Sequence, residues 1–134
     1  MNNKYFFFSL IIIDQTSKFF AKFLGFPVAL NFGISLNLLS FLPTSMMTLF
    51  LVFAIFFIFY FFKKDWVKNL LVASLFFAGA ISNIIDRIIF GGVRDWLKMP
   101  FFNIHNNLAD WFIFIGLGLF LFTLFHEEMD GKIN

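Results

Sequence analysis

The chain has 134 residues, of which 60% are hydrophobic and only 13% charged, with a mean hydropathy of +0.87. Soluble domains run at roughly 45–50% apolar and about 25% charged, so a water-soluble globular protein is set aside, and the length allows one domain covering residues 1–134. The absence of cysteine removes disulfides, thiol nucleophiles and thiolate metal sites, two histidines are too few for a histidine-rich metal centre, and a net charge of +2 on scattered Lys and Arg argues against a nucleic-acid partner.

A bilayer core about 30 Å thick takes roughly 20 mostly apolar residues per helix. Four stretches meet that length, at about residues 5–24, 44–62, 69–90 and 108–125. The polar run Asp14 to Lys18 stands where a cleavage region would follow an N-terminal leader, so the first stretch reads as a span. Between the first two spans, Val28 to Leu38 alternates apolar and small or polar residues, the period of a strand, bracketed by Pro27 and Pro43. An open strand pair cannot cross lipid with unsatisfied edges, so this segment is expected at the membrane surface. Gly91-Gly92 breaks the third span, Leu97 to Phe102 reads as an interfacial loop, and Glu127 to Asn134 as a short polar tail. Setting aside Lys18 and Arg87, which lie inside helical motifs, the lysine and arginine balance puts both termini and the Lys63–Lys68 loop in the cytoplasm.

Charges inside membrane helices cost about 2.5–3.5 kcal/mol each on insertion scales, so each needs a partner or a function. Asp14 and Lys18 are spaced i, i+4 in the first span and read as an ion pair. In the third span Gly79 to Ser82 lets another helix approach, and Asn83, Asp86 and Arg87 follow as a polar stripe in which Arg87 would neutralise Asp86. Asp95 lies beyond the Gly-Gly break and could be a surface carboxylate paired with Arg94 or Lys98. Asn107 can cap the fourth helix, with Asp110 at the third position of a capping box. Asp95 and Asp110 both end connections on one face, and two carboxylates sharing a proton can activate water and protonate a leaving amine. His105 reads as a surface histidine, and no Ser or Thr has a Lys or His at the spacing of a nucleophile and its base.

Five blocks occur in order over nearly the whole chain: Asp14-Gln15-Thr16-Ser17-Lys18; Asn31-Phe32-Gly33-Ile34-Ser35; Gly79 through Asn83 to Asp86-Arg87; Gly92-Val93-Arg94-Asp95; and Asn107-Leu108-Ala109-Asp110. In this order and spacing the chain resembles lipoprotein signal peptidase, or signal peptidase II, a four-helix aspartyl endopeptidase of the bacterial inner membrane. The resemblance implies an all-α membrane protein with a small extracytoplasmic β-cradle formed by Val28–Leu38, and the Leu97–Asn106 loop lying over the substrate. It implies removal of signal peptides from diacylglyceryl-modified prolipoproteins, cutting just before the lipidated cysteine, without metal or organic cofactor. The catalytic pair would be Asp95 and Asp110, with Asn83, Arg87, Asn107, Asn31, Gly33, Asp14, Lys18 and Asp86 binding substrate or supporting the site. A monomer in contact with membrane lipid is expected, its active site near the extracytoplasmic face. Departures from the family pattern are Leu30 in place of an arginine, Ile34-Ser35-Leu36 after the glycine, and Ser82 in place of a helix-packing glycine. The rival reading is a non-enzymatic multispan protein, a transporter subunit or assembly factor, whose ion pairs are structural only.

Overall fold

The computed structural model describes residues 3–33, 42–99 and 104–133. Its elements are α1 (Asn3–Phe23), β1 (Ala29–Asn31), α2 (Thr44–Phe61), α3 (Lys63–Lys68), α4 (Leu70–Phe90), β2 (Val93–Asp95), β3 (Leu97–Lys98), β4 (His105–Asn106) and α5 (Leu108–Ile133). The expected helices all form. Two expectations are corrected: Lys63–Lys68 is a short helix rather than a loop, and the polar stretch from Glu127 continues α5 to Ile133 instead of ending it.

Among the described residues three helices are long and apolar enough to cross a membrane: Thr44–Phe61, Leu70–Phe90 and Leu108–Glu127, with mean hydropathies of 2.2, 1.6 and 2.1. The α1 helix has 21 residues, about 31 Å of rise, and carries Lys4, Asp14, Lys18 and Lys22. Its buried residues, Leu10, Asp14, Lys18 and Ala21, form one stripe facing inward, while Phe8, Ile12, Phe19 and Phe20 are exposed. The mid-helix charges Asp14 and Lys18 are inside and these phenylalanines outside, the reverse of a soluble helix. With the bare apolar surface of α2, where Phe50, Phe53, Phe56, Phe57 and Phe61 are all exposed, this describes a membrane protein.

Helix α4 is the hub, packing on α1, α2 and α5. It starts at Asn69, whose side chain accepts the Val72 N–H, and ends at Gly91, which adopts φ 74°, a left-handed conformation that glycine takes without a Cβ penalty. Close approach of α4 to α5 depends on Gly79: a Cβ there would lie 2.5 Å from the Ala109 carbonyl oxygen. At the opposite end of the bundle Trp66 of α3 stacks on Phe120 of α5, with ring centroids 3.7 Å apart, and on Phe76 of α4.

Of the alternating segment Val28–Leu38, Ala29–Asn31 form β1, which pairs antiparallel with β2 in the register Ala29 to Asp95 and Asn31 to Val93. Residues 34–41 lie outside the described residues, as do residues 100–103 of the Leu97–Asn106 loop, whose ends form the β3–β4 pair. Asp95 therefore belongs to a strand and not to a loop, and its position is fixed by a partner 64 residues earlier in the chain.

Candidate active site

The site is built where β1, β2, the end of α4 and the start of α5 meet. The β1–β2 ladder sets Asn31 beside Asp95, whose Oδ2 accepts from Asn31 Nδ2 at 3.0 Å. The other oxygen of Asp95 accepts from Asn107 Nδ2 at 2.6 Å. Asn107 also caps α5: its Oδ1 accepts the Asp110 N–H at 3.0 Å, while Asp110 Oδ2 accepts the Asn107 N–H at 3.3 Å. These two bonds are the reciprocal capping box expected from the Asn-x-x-Asp spacing. One asparagine side chain thus touches Asp95 and tethers the helix turn that carries Asp110. The second oxygen of Asp110 accepts from Asn83 Nδ2 of α4 at 2.8 Å.

Asp95 is 2% exposed, and its pKa is pushed up to about 6. Burial, which penalises the charged form, is the first cause, and the negative charge of Asp110 is the second. The Asn107 and Asn31 hydrogen bonds pull the other way without offsetting them. A carboxyl that titrates near neutrality beside a second carboxyl is the arrangement in which a proton can be shared.

A cavity of about 380 Å³ opens beside these groups, bordered by Asn31, Asn83, Arg87, Val93, Met99, Ile104, His105, Asn106, Asp110, Trp111 and Phe114. Asp110 borders it directly, and Asn107, itself fully buried, connects Asp110 to Asp95. His105 is half-buried on the cavity wall rather than free at the surface. A second, more apolar space of about 360 Å³ shares Asn83, Arg87 and Asp110 with the first and runs between α2, α4 and α5 past Ala54, Ile58, Ile113 and Leu117.

Arg87 does not neutralise Asp86. Its Nη2 donates to the Gly33 carbonyl oxygen at 2.7 Å and its Nη1 to the Asn83 carbonyl at 3.3 Å, and its Nε has no acceptor among the described residues. Gly33 donates its N–H to Asn31 Oδ1, so Arg87 and Asn31 together fix the described end of the first outer segment. Asp86 is instead bound by Arg94, Nη2 to Oδ1 at 2.7 Å, and by Lys18 at 3.2 Å. Arg94 is thereby unavailable to Asp95, and no ion pair between Lys98 and Asp95 forms among the described residues.

Asp14, Lys18 and Asp86 lie together in a fully buried cluster behind the site. The expected i, i+4 pair is present, with Lys18 Nζ 2.7 Å from Asp14 Oδ2. Two further members were not read from the sequence as polar partners of this cluster. Gln15 donates to Ser82 Oγ and Asp86 and accepts from Arg94, and Ser82 donates to Asp14 at 2.7 Å. The serine that stands in place of a packing glycine therefore ties α4 to α1 by a hydrogen bond. Position offered a signal for Gln15: it sits within one turn of both Asp14 and Lys18.

The family model described as signal peptidase (SPase) II matches residues 6–126. The chain belongs to the signal peptidase II family. It is 31% identical over 131 residues to a lipoprotein signal peptidase of Thermodesulfovibrio yellowstonii, covering 86% of this chain and 88% of the relative. It is also 31% identical over 138 residues to the lipoprotein signal peptidase of Staphylococcus aureus, covering 96% of this chain and 82% of that one. The fold matches a solved bacterial membrane enzyme, determined by the in meso method at 2.3 Å resolution, with a TM-score of 0.78 over 96% of this chain and 90% of that one, at 24% identity. Family membership makes the chain a peptidase and disfavours a transporter subunit or assembly factor. Among the described residues of this peptidase no group of three or more His, Cys, Asp or Glu side chains could hold a metal ion.

Proposed function

We propose that this peptidase is an aspartyl endopeptidase that removes signal peptides from diacylglyceryl-modified prolipoproteins, cutting before the lipidated cysteine, with Asp95 and Asp110 as the acid–base pair. The observation that carries the reading is the Asn107 bridge: its Nδ2 donates to the Asp95 carboxyl and its backbone N–H to the Asp110 carboxyl, beside a cavity that Asp110 borders. Asp95, with a pKa near 6, holds the shared proton, and Asp110, in the first turn of α5 where the helix dipole favours negative charge and the Asn107 N–H donates to its carboxyl, is the base. Asp110 takes a proton from water as its oxygen adds to the scissile carbonyl carbon, and Asp95 protonates the carbonyl oxygen. Collapse of the tetrahedral intermediate breaks the C–N bond: the proton held by Asp110 goes to the leaving amine, and one hydroxyl of the intermediate returns its proton to Asp95 as the new carboxyl group forms. Arg87 borders the same cavity and brings a positive charge to its wall.

The apolar space between α2, α4 and α5 supports a lipid-embedded substrate, since it reaches the same Asn83, Arg87 and Asp110 from the side that faces hydrocarbon. In this reading α1 is the fourth span, its mid-helix charges Asp14 and Lys18 satisfied internally, and the protein is a monomer of the bacterial cytoplasmic membrane. Both termini are cytoplasmic and the site lies near the extracytoplasmic face. The test is cleavage of a diacylglyceryl-modified prolipoprotein by purified protein in detergent. Wild type cuts, while Asp95→Asn and Asp110→Asn each lose roughly 100-fold or more of the rate, the size of a general acid–base contribution. Retained activity in either variant would falsify the assignment.

A further inference from the structure

Asn83 is the only described side chain that donates to Oδ1 of Asp110, and its usefulness depends on which way its amide points. The amide has two ends with opposite demands. Its Nδ2 lies 2.8 Å from Asp110 Oδ1, and its Oδ1 lies 3.0 Å from the ammonium of Lys18. Reversing it would set an NH₂ group against an ammonium and a carbonyl oxygen against a carboxyl, losing both contacts and creating two repulsions. Lys18 is itself held in place. It is 0% exposed, with Asp14 Oδ2 at 2.7 Å and Asp86 Oδ2 at 3.2 Å, and those three oxygen acceptors match the three N–H bonds of an ammonium. Asp14 in turn accepts the Ala109 N–H at 2.9 Å, the residue immediately before Asp110, and Arg94 holds Asp86.

We infer that Lys18, which does not border the substrate cavity, is a positioning residue for the reaction: it locks Asn83 in the one amide orientation that donates a hydrogen bond to Asp110. The inference rests on the peptidase reading above. Its consequence is a division of labour within the buried cluster. Asp14 and Asp86 neutralise and place the ammonium, and the third N–H of that ammonium acts on the site through Asn83. Neutralising two acids needs only a cation, whereas orienting an amide needs a donor at this place.

The test is a double-mutant cycle on kcat and KM for a diacylglyceryl-modified prolipoprotein, using wild type, Lys18→Met, Asn83→Ala and the double variant, each normalised to folded monodisperse protein. Asn83→Ala is expected to lower kcat by roughly 10- to 100-fold, the value of one hydrogen bond to a charged group, with KM changed little. Lys18→Met is expected to lower kcat by a similar factor and the double variant to be no slower than Asn83→Ala. Its melting temperature still falls further, because the loss of neutralisation is separate from the loss of orientation. Should Lys18→Met fail to fold, Asp14→Asn/Lys18→Met removes one charge of each sign, leaves Asp86 on Arg94, and enters the same cycle. Multiplying kcat losses, or a folded Lys18 variant with wild-type kcat, would overturn the inference while wild-type cleavage leaves the peptidase reading standing. No cleavage by wild type would overturn both.

Discussion

Replacing Asp95 by asparagine should change how stability depends on pH, in a direction set by the raised pKa. The folded state holds the Asp95 proton up to about pH 6, whereas the unfolded chain releases it near the ordinary aspartate value of 3.8. Stability contributed by this group is fully present below about pH 3.8, declines as pH rises, and is lost once pH passes about 6. At 1.36 kcal/mol per pKa unit, the loss across that window is about 3 kcal/mol. Asparagine removes the titration but not the hydrogen-bond constraint. Both oxygens of Asp95 accept from amide NH₂ groups, of Asn31 and Asn107, and an asparagine there must turn its own NH₂ toward one of them. That mismatch costs about 1–3 kcal/mol at every pH. The variant is therefore less stable than wild type at pH 4, and its relative stability improves by about 2 kcal/mol by pH 6, with little further change above.

The assay is unfolding by SDS in mixed micelles between pH 4 and 8, followed by fluorescence of Trp66, Trp96 and Trp111, for wild type, Asp95→Asn and Asp110→Asn. Differences between variants cancel groups that titrate elsewhere. Because the two carboxyls titrate as a pair, the Asp110→Asn curve is part of the measurement. It removes the charge that raises Asp95 second only to burial, so its pH slope should be shallower than that of wild type without vanishing. Parallel wild-type and Asp95→Asn curves, or a variant that loses relative stability as pH rises, would refute the reasoning.

Two other outcomes follow from the geometry. Precursor lacking the diacylglyceryl group should be cut with kcat/KM reduced at least about 10-fold in the same detergent, since in the proposed reading the acyl chains hold the modified cysteine in the apolar phase beside the acid pair; equal rates with and without lipid would contradict it. Gly79→Ala should lower stability by about 1–3 kcal/mol and also slow cleavage, because the added Cβ lies 2.5 Å from the Ala109 carbonyl in the turn that carries Asp110. Unchanged melting and unchanged rate would show that α4 and α5 do not depend on this contact.

Much of this architecture is legible in the sequence because it is local. Apolar length places the helices, Gly91-Gly92 ends α4, and the Asn107-x-x-Asp110 spacing forms the capping box it suggests. The misassigned contacts are long-range or overridden by chain direction. Asp86 and Arg87 are neighbours in sequence, yet consecutive helical residues point about 100° apart, and Asp86 turns toward α1 while Arg87 reaches Gly33. Arg94 finds Asp86 only because the turn at Gly91 folds β2 back along the end of α4. The pairing of β1 with β2, which fixes Asp95, cannot be read from either strand alone, since three residues carry too little pattern to specify a partner. Past Glu127 the chain stays helical despite its polarity, since Glu and Met are good helix formers and polarity by itself does not end a helix.

The choice of asparagine around the two carboxyls follows from what a shared proton requires. A cation bonded directly to Asp95 would stabilise its charged form and hold its pKa low, as ion pairing does for carboxylates in general. An amide donates a hydrogen bond without a net charge, so it positions the carboxyl while leaving burial and the neighbouring acid to keep the pKa near 6. An amide brings the difficulty that it can point either way. Each asparagine here has its oxygen held by a separate donor: Asn31 by the Gly33 N–H, Asn107 by the Asp110 N–H and Asn83 by Lys18. Their Nδ2 groups are thereby left facing Asp95, Asp95 and Asp110 respectively. Two strong cations, Lys18 and Arg94, are engaged one layer back by Asp14 and Asp86, and the third, Arg87, borders the cavity but donates to the Gly33 and Asn83 carbonyls rather than to either carboxyl. In the proposed mechanism the peptidase thus keeps permanent ion pairs and a titrating acid pair in adjacent clusters, with the asparagine amides transmitting position between them.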